Sequence, residues 1–286
     1  LLYIIDEYQT FKKDNMKKLS TVAVLFSAVL ILLSSCNSNE KKLVVKNIKA
    51  DELIKLTNKE NSPAATIKID YDYIADAKPN SVEETINKAL LKETFGKIVE
   101  KTPEATISAY IDNYAKEYKA GLQFLVDEGE ENSPILNYED ITSLKHLSTT
   151  KNSIVFAHDQ YIYTGGAHGM QTIAYHTYNL NTGKEVQLKD IFVAGFEDQL
   201  KEIIFEGFKA QSFPGENETS IDGGFFNLEE DLNLDNTFLF TKNGIIFQYQ
   251  AYAIAPYAAG RPSVEIPYAK LNKILNKENP VVKDNI

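Results

Sequence analysis

ATIKIDYDYI, residues 65–74, is the stretch that decides the fold class of this chain. Its two sets of side chains alternate strictly, with Ala65, Ile67, Ile69, Tyr71 and Tyr73 in one set and Thr66, Lys68, Asp70 and Asp72 in the other. A repeat of two residues places one set on each face of an extended chain. The stretch therefore predicts a half-buried strand of an antiparallel sheet.

Two helices are predicted after this strand. Ser81 and Glu84 have the spacing of a capping box, in which the two side chains satisfy free backbone N–H groups at a helix start. Thr102 and Pro103 indicate a second start, because proline at the first helical position sacrifices no hydrogen bond. Apolar residues recur at helical spacing behind both starts, as amphipathic helices require.

The chain beyond Gly129 is predicted to be mostly β-structure. Strands are expected over 152–164, 172–178, 237–241, 245–252 and 263–266, with one helix over 196–210 and a surface loop over 212–224. Asn243 and Gly244 are expected to form a hairpin turn with positive φ angles. The sum is an α+β fold with antiparallel sheets and a few packed helices, in two parts at 49–130 and 131–280.

The composition of the chain limits its partners and its fold. The net charge of −10 argues against nucleic acid as a partner, since phosphate binding depends on clustered lysine and arginine. A hydrophobic content of 43% is that of a folded globular protein. The chain has a single cysteine, Cys36, so no disulfide can form within one copy.

The N-terminal region indicates export and a lipid anchor. Met16 is followed by Lys17 and Lys18, and then by an apolar run over 19–33, which suits a signal peptide better than a membrane span. The run ends in Leu-Ser-Ser before Cys36, and this resembles the bacterial lipobox, in which the cysteine carries the lipid. The alternative is a buried helix that ends in an incidental cysteine.

This resemblance has consequences for the first 48 residues. Met16 is expected to be the true start, so that residues 1–15 are a mis-called extension and 1–35 are absent from the mature protein. Residues 36–48 are expected to be a polar tether. The resemblance also implies a location in the cell envelope, and Asn37 after the lipid-bearing Cys36 favours the outer membrane of a Gram-negative source.

A glycine-rich turn is the first candidate binding site. Residues 161–169 read YIYTGGAHG, in which Gly165 and Gly166 allow backbone angles that other residues adopt only at a cost. The turn presents His168 beside Tyr163 at the end of a predicted strand. One interpretation is a site for a ligand, a proton or a partner. The other is a structural turn whose histidine bonds the neighbouring backbone.

A second candidate lies in residues 250–261, QAYAIAPYAAGR. Tyr252, Tyr257 and Gly260 stand in an otherwise small apolar loop, and Arg261 is the only arginine of the chain. Aromatic rings beside glycine commonly line clefts for sugars or peptides, because a ring buries a large area at little entropy cost. The same rings are equally suited to closing the end of a sheet.

No catalytic or metal signature is complete. A three-ligand site from His158, His168 and Asp159 is conceivable, but the chain lacks the helical His pairs and Cys pairs typical of zinc sites. Nucleophilic hydrolysis lacks a Gly-x-Ser-x-Gly motif, and Cys36 is committed to lipid. The prediction names no catalytic residue, no metal ligand and no cofactor, and leaves open whether the protein is an enzyme.

Four motifs together resemble a known family. They are YTGGAHG, the following NLNTGKEVQLKDIF, the hairpin FLFTKNGIIFQYQ, and the ending of the form Y-x-I-A-P-Y-A-x-G with V-x-I-P-Y behind it. They look like the PdaC/RsiV-like extracytoplasmic domain, and the module before them is similar to the small domain that usually precedes it. The resemblance covers about residues 45–276.

The resemblance implies a two-part fold in cell-envelope proteins. In that family the domain accompanies a peptidoglycan deacetylase domain or forms the sensor of an anti-sigma factor that binds lysozyme. The function expected here is therefore binding or sensing of peptidoglycan, another glycan or a protein such as lysozyme. Alternatives are a glycan hydrolase or deacetylase that uses His168, and a purely structural envelope lipoprotein.

Overall fold

The computed structural model describes residues 43–130, 133–210, 232–234 and 237–286. Eight strands occur in these ranges: β1 Val45–Lys55, β2 Ala64–Ile74, β3 Tyr138–Thr149, β4 Ser153–Tyr163, β5 Met170–Asn179, β6 Phe238–Phe240, β7 Gly244–Gln248 and β8 Ser263–Pro267. The α-helices are α1 Val82–Phe95, α2 Pro103–Asp127, α3 Leu188–Ile191, α4 Glu197–Lys209, α5 Tyr268–Leu271 and α6 Pro280–Asn285. Short 3-10 helices cover Pro134–Leu136 and Tyr257–Ala259.

The first five strands form one sheet in sequence order. All neighbours in it are antiparallel except β2 and β3, which run parallel. A parallel pair needs a long crossover, and α1 with α2 provides it. The second sheet is antiparallel and contains β6, β7 and β8 in that order. The predicted α+β class with mainly antiparallel sheets is confirmed.

The alternation predicted for residues 65–74 agrees with the pattern of buried residues in β2. Ala65, Ile67 and Tyr71 have no exposed surface, and the apolar face to which they belong packs under α1. The helix starts as predicted, with the Ser81 hydroxyl accepting a hydrogen bond from the N–H of Glu84 at 3.2 Å. The Glu84 carboxylate reaches one residue further back than in a standard capping box and accepts from the N–H of Asn80 at 2.7 Å.

The C-terminal part has its own core, between the second sheet and α4. Leu200, Ile204 and Phe208 of α4 are completely buried, as the predicted helical face requires. They pack among side chains of β7 and β8, including Ile245 and Ile266. A separate apolar cluster surrounds β2 and α1, so the molecule holds two main cores.

The boundaries differ from those expected from the sequence. Strand β1 begins at Val45, so the last four residues of the predicted 36–48 tether belong to the sheet. The predicted division between residues 130 and 131 falls inside the five-stranded sheet, because β2 pairs with β3 across it. Strands β1 and β3 were missed for different reasons: charged residues obscure the alternation in β1, and the buried positions of β3 include the polar Asp140 and Thr142.

The hairpin between β6 and β7 is present, but the expected positive φ angles are not. Neither Asn243 nor Gly244 is among the described residues with positive φ. Glycine is required at 244 for a different reason: an added Cβ would lie 2.1 Å from the carbonyl oxygen of Ile266 on β8. Position 244 therefore requires glycine because β8 approaches closely, and not because of the turn angle.

Two expectations fall on residues that the structure does not describe. The lipid-bearing Cys36 and the signal segment before it lie outside the described residues, and so does the loop predicted over 212–224. Among the residues that are described, no helix is long and apolar enough to cross a membrane.

Candidate functional site

The glycine turn of residues 164–169 connects β4 to β5, and each of its glycines has a structural cause. Gly165 and Gly166 have φ angles of 89° and 99°, which favour glycine. An added Cβ at Gly169 would lie 2.4 Å from the ring of Tyr161, so a side chain here would require this ring to move. The hydroxyl of Tyr163 donates to the carbonyl of Gly166 at 2.9 Å and so stabilises the turn. The structural interpretation thus accounts for the glycines and Tyr163.

At His168 both interpretations find a contact: Nδ1 lies 3.1 Å from the carbonyl oxygen of the neighbouring Gly169, and the second candidate loop also meets this side chain. The rings of His168 and Tyr257 stack with centroids 4.2 Å apart and planes at 21°. The Tyr252 ring lies 5.4 Å from that of Tyr257. We call these three side chains, His168, Tyr252 and Tyr257, the aromatic platform. The structure thereby brings together two segments that are about eighty residues apart in sequence.

Hydrogen bonds fix the inner side of the platform. The Tyr257 hydroxyl donates to the carbonyl oxygen of Gly169 at 2.8 Å, and Nδ1 of His168 lies 3.1 Å from the same oxygen. The N–H of Gly260 donates to the carbonyl of Tyr257, which closes the short helical turn that holds this tyrosine. Gly260 itself has a φ of 72°. Its part in the candidate site is to shape the loop.

Tyr252 is held in an unusual backbone conformation. Its φ is 67°, in the left-handed region that a bulky residue enters only at an energetic cost. The residue is nevertheless 47% exposed, so complete burial of the ring does not compensate for the strain. The hydroxyl lies 3.4 Å from Nε2 of His168, which is at best a weak hydrogen bond.

A polar trio, Asp159, Gln171 and Arg261, lies on the sheet beside the platform. The Arg261 guanidinium donates to the Asp159 carboxylate at 2.7 Å and to the carbonyl of Thr172 at 3.1 Å. The Gln171 amide donates to the other oxygen of Asp159 at 3.0 Å. The charge of the single arginine is thus balanced within the site. Sequence reasoning considered Asp159 only as a metal ligand and missed Gln171.

Gln250 attaches the loop of the platform to the sheet. Its side-chain carbonyl accepts from the N–H of Ile173 at 3.1 Å, and its amide donates to the carbonyl of the same residue. One side chain therefore replaces the missing neighbour of the edge strand β5 at this point. Gln250 was quoted in the candidate loop but was not recognised as a contact. A strand-edge amide of this kind leaves no periodic signal in sequence.

The other histidines lie apart from the platform. His158 is within β4 opposite Ala174, and its ring centroid is 6.3 Å from that of His176. Burial lowers the pKa of His158 to about 4, with the neighbouring His176 acting in the same direction. His176 contacts the carboxylate of Glu185 at 2.7 Å. No group of three or more His, Cys, Asp or Glu side chains among the described residues could hold a metal ion.

Two family models match the chain. The model described as "Deacetylase PdaC" matches residues 58–171, and the model described as "Protein of unknown function (DUF3298)" matches residues 189–269. The PdaC match lies further towards the N-terminus than the 131–280 region to which the sequence motifs assigned that resemblance. It contains β2, β3 and β4 of the five-stranded sheet, whereas β1 and most of β5 lie outside it. No curated protein sequence matches the chain.

Two solved structures have a similar fold. A DUF3298 family member from Bacteroides fragilis superposes with a TM-score of 0.76 at 24% identity, over 86% of this chain and 98% of that one. A DUF3298 family protein from Pseudomonas aeruginosa PAO1 gives a TM-score of 0.56 at 20% identity, over 83% and 96% of the two chains. Both likenesses concern the fold alone. Residues 58–171 are thus similar to the PdaC family and residues 189–269 to the DUF3298 family.

Proposed function

We propose that this protein is a cell-envelope binding protein that recognises the glycan of peptidoglycan through the aromatic platform. The observation that carries the proposal is Tyr252, whose backbone is strained while its ring is exposed. Strain of this kind persists only when the rest of the structure enforces it, and it is concentrated at functional sites. A tyrosine that served only to close the sheet would be expected to bury its ring.

The chemistry of the platform suits a sugar. Exposed rings offer flat apolar surface to the C–H face of a sugar, and tyrosine and histidine add polar edges. The neighbouring polar trio provides the amide, carboxylate and guanidinium groups that hydrogen-bond hydroxyl groups. The stacked rings of His168 and Tyr257 cover each other's faces, so the exposed ring of Tyr252 offers the surface on which one sugar unit of a polymer would lie.

The predicted lipid on Cys36 gives this proposal its location. A chain attached to the membrane at Cys36 would hold the platform within reach of the cell wall. The match to the model described as "Deacetylase PdaC" supports the same setting only through the cell-envelope role that the sequence resemblance implies. Both the anchor and the envelope location belong to the proposal.

Binding of soluble peptidoglycan fragments to full-length protein in mild detergent tests the proposal. We expect saturable binding that Tyr252→Gly weakens at least about tenfold, which corresponds to the loss of roughly 1.4 kcal/mol. The same variant should unfold at a higher temperature than the wild type, because glycine tolerates positive φ. Phe124→Ala is the matched control, since it removes another exposed aromatic ring, on α2.

Three outcomes would contradict the proposal. One is the absence of binding to any fragment, and another is unchanged binding by Tyr252→Gly. The third is binding of lysozyme in place of the fragments, which would make the protein a receptor for a cationic protein; its affinity should fall steeply with salt. Turnover of acetylated glycans that is lost in His168→Ala would instead identify a hydrolase or deacetylase.

A further inference from the structure

The two edges of the five-stranded sheet differ in how the rest of the chain covers them. The edge strand β5 is covered, since Gln250 bonds both backbone groups of Ile173 and Tyr178 forms a β-bridge with Glu185. Strand β1 forms the opposite edge, and no strand in the described part of the chain pairs with its outer side. This edge is eleven residues long. Unpaired backbone groups along such an edge are a template for another strand.

The hydrogen bonds at the two ends of the β1–β2 pair show which residues of β1 face the open edge. The N–H of Ala75 donates to the carbonyl of Val44 at 2.8 Å, and the N–H of Leu56 donates to the carbonyl of Pro63 at 2.9 Å. Because hydrogen-bonded pairs alternate along antiparallel strands, the even-numbered residues of β1 are the ones that bond to β2. The odd-numbered residues direct their N–H and C=O groups outwards, and these are Val45, Asn47, Lys49, Asp51, Leu53 and Lys55.

Two of these outward-facing residues carry opposite charges on one face of the sheet. The side chains of Lys49 and Asp51 are 57% and 65% exposed. The Lys49 ammonium lies 3.2 Å from the carboxylate of Asp70 on β2, and the Asp51 carboxylate lies 3.4 Å from the ammonium of Lys68. The charges thus alternate in sign across the two strands and along β1. A further strand continues the alternation only if it places an acid beside Lys49 and a base beside Asp51.

A second copy of β1 meets this requirement. When it runs antiparallel about a two-fold axis at Ala50, its Asp51 lies opposite Lys49 and its Lys49 lies opposite Asp51. No like charges lie opposite each other anywhere in this register. The two neighbouring registers have the axis at Lys49 or at Asp51, and they place two lysines or two aspartates directly opposite, which is unfavourable. The charges therefore select both the partner and the register.

We propose that two copies of this chain associate through β1, antiparallel about Ala50, and so join their two five-stranded sheets into one. All six outward-facing residues of each copy then have backbone hydrogen-bond partners. The small side chain of Ala50 suits the axis, because a pair without hydrogen bonds brings its Cα atoms to about 4.5 Å. We expect a weak, reversible dimer, since the pairing of one strand buries little surface.

The dimer has a consequence for the candidate site. Lys49, Asp70, Ser143 and Asp159 follow one another in a row across the sheet, so the charged face of β1 is also the face of the polar trio. The two-fold axis is perpendicular to the sheet and leaves both trios on the same side of the dimer. Two aromatic platforms would then bind one polymer at two points. This consequence rests on the glycan proposal, whereas the dimer does not.

Sedimentation velocity of the full-length protein in mild detergent, from about 1 µM to about 300 µM, tests the dimer. We expect an association that increases with concentration. Lys49→Glu and Asp51→Lys should each weaken it at least about tenfold, because each change places like charges opposite each other twice per dimer. A mixture of the two variants should associate as the wild type does, since opposite charges then meet at both positions.

Lys209→Glu is the matched control, because it reverses an equally exposed lysine, paired with Glu206, on α4. It should leave the dimer unchanged. A wild type that stays monomeric at every concentration would overturn the proposal, even if β1 pairs with a strand of a different protein. A dimer that Lys49→Glu leaves unchanged, or a mixture of the two variants that stays monomeric, would overturn it as well. Glycan binding by one copy needs no dimer, so the two proposals fail separately.

Discussion

At the scale of single residues, the lowered pKa of His158 predicts how the stability of the protein changes with pH. Burial lowers the pKa of His158 to about 4 in the folded protein, whereas an unfolded histidine titrates near 6.5. The unfolded chain therefore binds a proton at a higher pH than the folded one does. Stability is lost as the pH falls from about 6.5 to 4, by at most about 3 kcal/mol for this group.

Urea denaturation of the wild type and of His158→Gln, between pH 7.5 and 4, measures this effect. The variant should lose less free energy of unfolding over the interval, because glutamine does not titrate. Parallel curves for the two proteins would contradict a depressed pKa at His158. A difference that develops only below pH 4 would also contradict it, since the folded protein is protonated there.

At the scale of elements, two glycines should respond in opposite directions to the same substitution. Gly121→Ala should raise the free energy of unfolding by about 0.5–1 kcal/mol, because alanine is the better helix residue and its methyl group meets open space. Gly244→Ala should lower it by about 2 kcal/mol or more, since the methyl group would force β8 away from β7.

Thermal unfolding of both variants, compared with the wild type, measures the two changes in stability. Each variant serves as the other's control, because both gain one methyl group at a glycine without positive φ. A loss of stability in Gly121→Ala would contradict the open space beside Gly121 in α2. Unchanged stability in Gly244→Ala would contradict the close approach of Ile266.

At the scale of the whole molecule, a few side chains join the two cores. Gln250 pairs with the edge of β5, and Arg261 binds Asp159 on the sheet. At the other end, the carboxylate of Asp284 in α6 accepts from the hydroxyl of Thr150 and from the N–H of Asn152, at 2.8 and 2.7 Å. We expect these polar contacts to couple the folding of the two cores.

We expect the double variant Gln250→Ala, Asp284→Ala to unfold in two calorimetric transitions where the wild type unfolds in one. The reason is that each apolar cluster is large enough to stay folded when the contacts of Gln250 and Asp284 are removed. Lys283→Ala, which removes an exposed ion pair with Glu278 on α6, is the control and should keep one transition. A single sharp transition in the double variant would show that other contacts couple the cores.

The sequence by itself determined the fold class, most strands, the helix starts at Ser81 and Thr102, and the two segments of the candidate site. These features depend on residues close together in the chain, whose periodicity and capping are local. Strand β1 was missed because its charged residues weaken the alternation, and β3 was missed because its inward face carries the polar Asp140 and Thr142, which only tertiary contacts bury.

Only the tertiary structure decided that His168 stacks on Tyr257, that Arg261 pairs with Asp159, and that Gly244 is required by β8. A small pocket under α2 was equally absent from the sequence, since Gly121 and Thr164, which line it, become neighbours only when the helix lies on the sheet. Contacts between distant segments depend on how whole elements pack, and no local pattern encodes that packing.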